Sequence, residues 1–264
     1  MKIKKILQKF NEDGFVIIPK FLNKANIKEI FFQLNELIDV PINNTFKNNE
    51  TKKNLDEKYL LLKKKNPSLK SHFYDMIKYI DAVNKVSVSK KFLSTAKKLL
   101  NEKTTFAGNH QVRIDHAEDS YWLPQHQELG QLSTNLITFW IPLVDLEKKL
   151  GGIYIRPKTH KLGFFPYKNS DKEGREAGTG RKKIIDQLFS QPHLKKYKSF
   201  RPKLRAGDAV VFHNYLFHGT IPNLNRKKIR WVFISRYNSI NKTPYLKDGK
   251  ASMNIPYTAN YGLL

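Results

Sequence analysis

The chain contains no cysteine. That absence excludes disulfides, thiolate nucleophiles, iron–sulfur clusters and cysteine-ligated zinc. No apolar run reaches the ~18 residues of a membrane-spanning helix. The nearest stretch, Ile27 to Ile38, is broken by charges. Met1 to Phe10 carries lysines but no apolar segment of signal-peptide length, and with the missing cysteine this reads as a cytoplasmic protein. Acidic residues are scarce: 23 against 48 Lys and Arg, a net charge of +25.

Such a charge invites nucleic acid or anionic lipid as a partner. The lysines, however, run from Lys2 to Lys250 without confinement to one segment. Asn and Ile are abundant alongside them, as an AT-rich coding sequence would produce. No aromatic-basic ribonucleoprotein signature is present. Specific nucleic-acid binding is therefore not expected, and a basic nucleic-acid-binding protein with steeply salt-dependent affinity stands as an alternative. A lean towards a small anionic substrate survives either way. Nothing here reports the oligomeric state.

With 264 residues, 40% apolar and 12% aromatic, the chain can bury a sizeable core. It reads as one domain, 1–264, without internal repeat or clear linker. Residues 1–103 read as mostly helical, after a turn and short strand at Asn11 to Pro19. Ile27, Ile30, Phe31, Leu34, Leu37 and Ile38 recur at helical spacing, as do Phe92, Leu93, Ala96, Leu99 and Leu100. Val40 to Pro67 reads as polar loop with a short helix around Tyr59 to Lys65. From Thr104 the period changes. Leu136 to Leu143, Ile153 to Ile155, Ala209 to Phe212 and Trp231 to Tyr237 read as strands between Gly, Pro and Asn turns. Short strands so punctuated predict a sheet sandwich or jelly roll over 104–240. A long charged insertion covers 164–205, and 241–264 forms a tail.

One feature carries chemistry. His126 and Glu128 lie two apart, so on a strand or its exit they share a face. A third ligand must come from a distant strand, and His213 and His218 are the candidates. Being five apart, they face opposite ways on a regular strand. His218 has the better context, at a strand end before Gly219 and Thr220, with Arg230 twelve residues on. His213 reads as structural. Two imidazoles and one carboxylate with open coordination positions are what non-haem Fe(II) oxygenases use.

The chain resembles the phytanoyl-CoA dioxygenase family of Fe(II)- and 2-oxoglutarate-dependent oxygenases along nearly its whole length. The resemblance rests on Asp13-Gly14-Phe15 through Leu22, His126-Gln127-Glu128, Phe139-Trp140-Ile141-Pro142-Leu143, Gly151-Gly152 through Lys161, Gly207-Asp208 through His213, and His218-Gly219-Thr220. It implies a mainly β fold with flanking helices: a double-stranded β-helix, or jelly-roll, core behind N-terminal helices. It implies Fe(II), 2-oxoglutarate and O2, with His126, Glu128 and His218 on the metal. Arg230 matches the arginine that grips the far carboxylate of 2-oxoglutarate, where a guanidinium offers two parallel hydrogen bonds. Gln127, Trp140 and Thr220 match positions lining the co-substrate pocket. The implied reaction is hydroxylation of an unactivated C–H bond with release of succinate and CO2.

Two departures stand out. Glu128 replaces the family's usual aspartate, and its presence disfavours a halogenase, which leaves this position to halide. Arg230 lies about one residue further from the distal histidine than in relatives, which makes Arg236, on the same strand face, the fallback clamp. Arg113, Arg156, the Asp115 to Tyr121 loop, Trp122 and the insertion are where substrate contacts would be sought. A catalytically silent relative and a cupin-like enzyme without 2-oxoglutarate are the competing enzyme-fold readings.

Overall fold

The computed structural model describes residues 3–46, 53–117, 125–128, 135–165, 167–168, 186–187 and 194–242. Tyr121, Trp122, most of the insertion and nearly all of the tail lie outside these residues.

The helical layer comprises α1 (Ile3–Asp13), α2 (Lys24–Thr45), α3 (Leu55–Lys65), α4 (Pro67–Met76), α5 (Asp81–Ser87) and α6 (Lys90–Leu100). On α2 the apolar stripe Ile27, Ile30, Leu34, Ile38 and Ile42 is buried. The side chain of Asn23 caps its start by accepting the N–H of Asn26 at 2.7 Å. The expected loop from Val40 is in fact the end of this helix. It runs through Pro41 because Ile38 and Ile42, both fully buried, continue the stripe across the proline. The helix expected at 59–65 begins earlier, at Leu55, where Asn54 and Glu57 form a reciprocal capping box.

The strands are β1 (Phe15–Ile18), β2 (Thr105–Asp115), β3 (Leu136–Pro142), β4 (Gly152–Ile155), β5 (Tyr167–Lys168), β6 (Asp186–Gln187), β7 (Ala209–His213), β8 (His218–Ile221) and β9 (Arg230–Ser239). Five form an antiparallel sheet in the order β1-β7-β3-β9-β2. A smaller sheet pairs β4 with β8, and an isolated bridge joins His126 to His218 on the other side of β8. The expected strands at 136–143, 153–155, 209–212 and 231–237 correspond to β3, β4, β7 and β9.

Alternation along β9 separates the two sides of the large sheet. Trp231, Phe233 and Tyr237 pack with the helices. Val232 and Ile234 instead pack with Trp140, Val210, Phe212, Ile153 and Ile155, between the sheets. Arg230 and Arg236 occupy the same inward register as Val232 and Ile234. The core is thus a two-sheet jelly roll with helices covering the outer face of its larger sheet.

Two contacts tie the layers at the start of β9. Asp56, in the first turn of α3, accepts the N–H of Ile229 at 3.0 Å and the indole N–H of Trp231 at 2.7 Å. These residues flank Arg230 and turn it towards the interior. Gly151 serves the same place from the other side. Its φ is +68°, and a Cβ there would sit 2.2 Å from the Ile221 carbonyl and 2.7 Å from Nη1 of Arg230.

Candidate active site

Antiparallel pairing creates the site. His126 and His218 exchange backbone hydrogen bonds, N–H of 126 to C=O of 218 at 2.8 Å and the reverse at 3.0 Å. Directly opposite residues present side chains on one face, and the two imidazole centroids lie 4.2 Å apart. Two residues on, the N–H of Glu128 donates to the Asn214 carbonyl at 2.9 Å, which sets its side chain on that same face. The ligand atoms of His126, Glu128 and His218 all lie within 4.8 Å of one another, and all three residues are buried. Oε1 of Glu128 is 3.8 Å from Nε2 of His218.

The protonation states suit a metal ligand set. Nδ1 of His218 lies 2.9 Å from the Leu216 carbonyl. A proton on Nδ1 satisfies that contact and leaves the Nε2 lone pair facing Glu128. Burial pulls the His218 pKa down despite the opposing pull of Glu128, which favours the neutral ring. For Glu128, burial pushes the carboxyl up, but the Arg236 guanidinium and the two imidazoles outweigh it and hold the pKa at about 2. The carboxylate is therefore ionised.

Arg236 grips Glu128 with two parallel bonds: Nε to Oε2 and Nη2 to Oε1, both 3.0 Å. The fallback clamp thus meets the carboxylate of a candidate metal ligand. Arg230 is almost wholly buried. Its Nε and Nη2 contact Oδ2 of Asp115 at 3.2 and 3.1 Å, while Nη1 donates to the carbonyls of Leu150 and Ile221. Four of its five N–H groups are engaged, and the paired edge that would grip a carboxylate faces Asp115. Asp115 also accepts from Nε of Arg113 at 2.8 Å. Burial raises its pKa, yet the two guanidinium groups bring it below the ordinary value.

The remaining predicted positions separate. Thr220 is half-buried beside Ile153, in the inward register of His218. Trp140 lies on the inner face of β3 opposite Ile234 and Val210. Gln127 is fully buried. Its amide donates to the carbonyls of Gly163 and Tyr215, both at 2.7 Å, and its oxygen accepts the N–H of Phe165 at 2.9 Å. It therefore fastens the chain entering the insertion to the turn before β8. Arg156, read above as an anion holder, donates instead to the Gln125 side chain and to the carbonyls of Leu194 and Tyr197.

His213 lies outside the cluster. Its Nδ1 accepts the N–H of Tyr215 at 3.1 Å, its ring lies 5.8 Å from that of His160, and burial followed by His160 lowers its pKa to about 4. His110 pairs with Asn84, and His116 contacts the Arg226 carbonyl. Asp115 was read only as the start of a substrate-contacting loop, and its pairing with two arginines at the end of β2 was not foreseen. Its one sequence signal is alternation: Arg113 and Asp115 are two apart, interleaved with the apolar Val112 and Ile114.

A model of the phytanoyl-CoA dioxygenase (PhyH) family matches residues 10–232. The chain belongs to that family. The phytanoyl-CoA dioxygenase fold is also what the solved structures share with it. A complex of the epimerase SnoN with Fe3+, alpha ketoglutarate and nogalamycin RO superposes with a TM-score of 0.61 at 15% identity, covering 90% of this chain and 83% of that one. EctD from S. alaskensis gives 0.60 at 11% identity, covering 92% and 78%. Among curated proteins, the 1-deoxypentalenic acid 11-beta-hydroxylases of Streptomyces exfoliatus and Streptomyces arenae are 28% and 27% identical over 160 residues, 58% of this chain. The aligned part spans 53% of each relative, about half its length. No described helix is long and apolar enough to cross a membrane.

Proposed function

We propose that this family member is an Fe(II)- and 2-oxoglutarate-dependent oxygenase. In this reading it uses O2 to hydroxylate an unactivated C–H bond of a small organic molecule, releasing succinate and CO2. The observation that carries the reading is the convergence of two imidazoles and one ionised carboxylate, all buried, within 4.8 Å. The 3.8 Å between Oε1 of Glu128 and Nε2 of His218 is a span one ion can bridge at ordinary bond lengths of ~2.0–2.2 Å. Two nitrogens and one oxygen on one face match ferrous iron and leave the opposite positions open. Bound there, the iron supplies the oxidising chemistry that no side chain can.

The residues then divide the work. His126, Glu128 and His218 hold the metal, with the Nδ1 contact to Leu216 orienting His218. Arg230 attracts the far carboxylate of 2-oxoglutarate, and Thr220 adds a hydroxyl on the same face. Trp140, Val232 and Ile234 exclude water. Gln127 acts by holding the 163–165 backbone against the turn at Tyr215.

An anionic substrate is supported by charge. Among the described residues, Arg113, Arg230 and Arg236 line the interior around Asp115 and Glu128, a cationic setting that suits an anionic substrate. The curated relatives carry an acid in their names.

The test is anaerobic addition of Fe(II) and 2-oxoglutarate, watching for the visible charge-transfer band of the chelate. The wild type develops it, and His126→Ala and His218→Ala do not. Arg230→Ala weakens 2-oxoglutarate binding by at least tenfold while leaving iron bound. A band that persists without either histidine refutes the ligand set. Loss of keto-acid affinity in Arg236→Ala but not Arg230→Ala reassigns the clamp.

A further inference from the structure

We infer that Arg236 is a positioning residue that selects glutamate at position 128 and holds it as a one-oxygen metal ligand. The inference rests on the metal-site reading above and concerns how this chain departs from the family's usual aspartate.

The backbone at 128 cannot slide. Its N–H is bonded to the Asn214 carbonyl, and two residues earlier His126 and His218 are locked by reciprocal bonds. With the Cα so placed, side-chain length limits how far the carboxylate can reach. It must satisfy two partners at once. Oε1 stands 3.8 Å from Nε2 of His218. Both oxygens stand 3.0 Å from Arg236, which reaches in from β9 of the large sheet at the register opposite Thr138. Removing one methylene withdraws the carboxylate by roughly the ~1.5 Å of a carbon–carbon bond. Bonds at 3.0 Å would then lie beyond hydrogen-bonding range. An aspartate here could approach the imidazoles or Arg236, not both.

The paired grip also decides denticity. The terminal torsion of a glutamate is soft and broadly populated. An unrestrained carboxylate could therefore turn and chelate through both oxygens, taking a coordination position that the keto acid or O2 needs. Arg236 fixes the carboxylate plane. It engages one lone pair on each oxygen and turns Oε2 towards its own Nε, leaving Oε1 directed at the imidazoles. A lysine would supply the charge without the planar pair of donors. This separates positioning from mere neutralisation of a buried carboxylate.

The experiment is an anaerobic Co(II) titration of the full-length protein, read by the d–d absorption of the bound ion. The wild type is compared with Glu128→Asp, Arg236→Lys and the double variant. Each single change weakens Co(II) binding by at least tenfold, the scale seen when a partner of a metal ligand is removed. The double variant binds within about twofold of Glu128→Asp alone, because the shortened side chain has already left Arg236. The absorption envelope of Arg236→Lys also changes shape as Glu128 turns to chelate.

Wild-type affinity and spectrum in Arg236→Lys overturn the inference, and so do losses that multiply in the double variant. Should Arg236→Lys fail to fold by circular dichroism, Glu128→Asp carries the test, since it leaves Arg236 in place. Undiminished Co(II) affinity in Glu128→Asp refutes the length match. A wild-type protein that binds no Co(II) refutes the metal site itself, whereas normal wild-type binding with unaffected variants refutes this inference alone.

Discussion

Asp115 is the residue whose chemistry is most consequential after the three candidate ligands. It holds Arg113 through Oδ1 and Arg230 through Oδ2, and so keeps two like charges together in the interior. Removing one member of such a buried pair costs several kcal/mol, because the partner's charge stays behind. Asp115→Asn preserves shape and one acceptor, so a loss of about 3 kcal/mol is expected in urea unfolding. The vacated guanidinium edge then becomes available to another carboxylate. 2-Oxoglutarate should therefore raise the unfolding midpoint of Asp115→Asn more than that of the wild type. Equal increments would mean that Arg230 does not face the keto acid. The partnership was hard to foresee because the two residues are 115 positions apart in sequence. Only the antiparallel register of β2 with β9, Asp115 opposite Arg230, brings them together.

At the scale of the elements, the turn after β4 shows strain that the sequence marks openly. Lys158 takes φ +69°, the left-handed region that favours glycine. Its N–H is bonded to the Asp13 carbonyl at 2.8 Å, so the left-handed geometry is enforced from α1. A non-glycine residue there costs about 1–2 kcal/mol, against the 0.5–1 kcal/mol that glycine loses through chain entropy. Lys158→Gly is expected to stabilise the protein by about 0.5–1 kcal/mol, measured by chemical denaturation. A destabilised variant would show that the 3.8 Å Lys158–Glu12 contact outweighs the backbone. β3, β7 and β9 were legible because they are dense in branched and aromatic residues and bounded by turn formers, whereas β2, with polar residues from Gly108 to Gln111, was not read as a strand. The helices were less legible. Pro41 masked the end of α2, and α4 and α5 lack a long apolar period, since tertiary packing rather than propensity holds short helices. The pairing of His126 with Glu128 was readable from spacing and strand geometry, while His218 was preferred to His213 on its context and by the family resemblance. The role of Arg236 was not readable, because its partner is set by sheet-to-sheet packing.

Over the whole molecule, the candidate metal site is a junction. His126 and His218 belong to the side of the small sheet, while the carboxylate of Glu128 is gripped from β9 of the large one. An ion shared by these three side chains would cross-link the two sheets across the interior, independently of the helical layer on the outer face. Binding to the folded state alone then stabilises the entire fold. At a metal concentration of one hundred dissociation constants the gain is about 2.7 kcal/mol. For a chain of this size, each kcal/mol moves the midpoint by roughly 2–4 °C. Calorimetry with Mn(II) should therefore show a rise of roughly 5–10 °C, reversed by EDTA. His218→Ala should abolish the rise. His213→Ala removes a ring packed against His160 and Phe10, so it should lower the starting midpoint yet keep the full increment. If both histidine variants keep the increment alike, the ion is not shared at the junction, and its stabilising effect arises elsewhere on the surface.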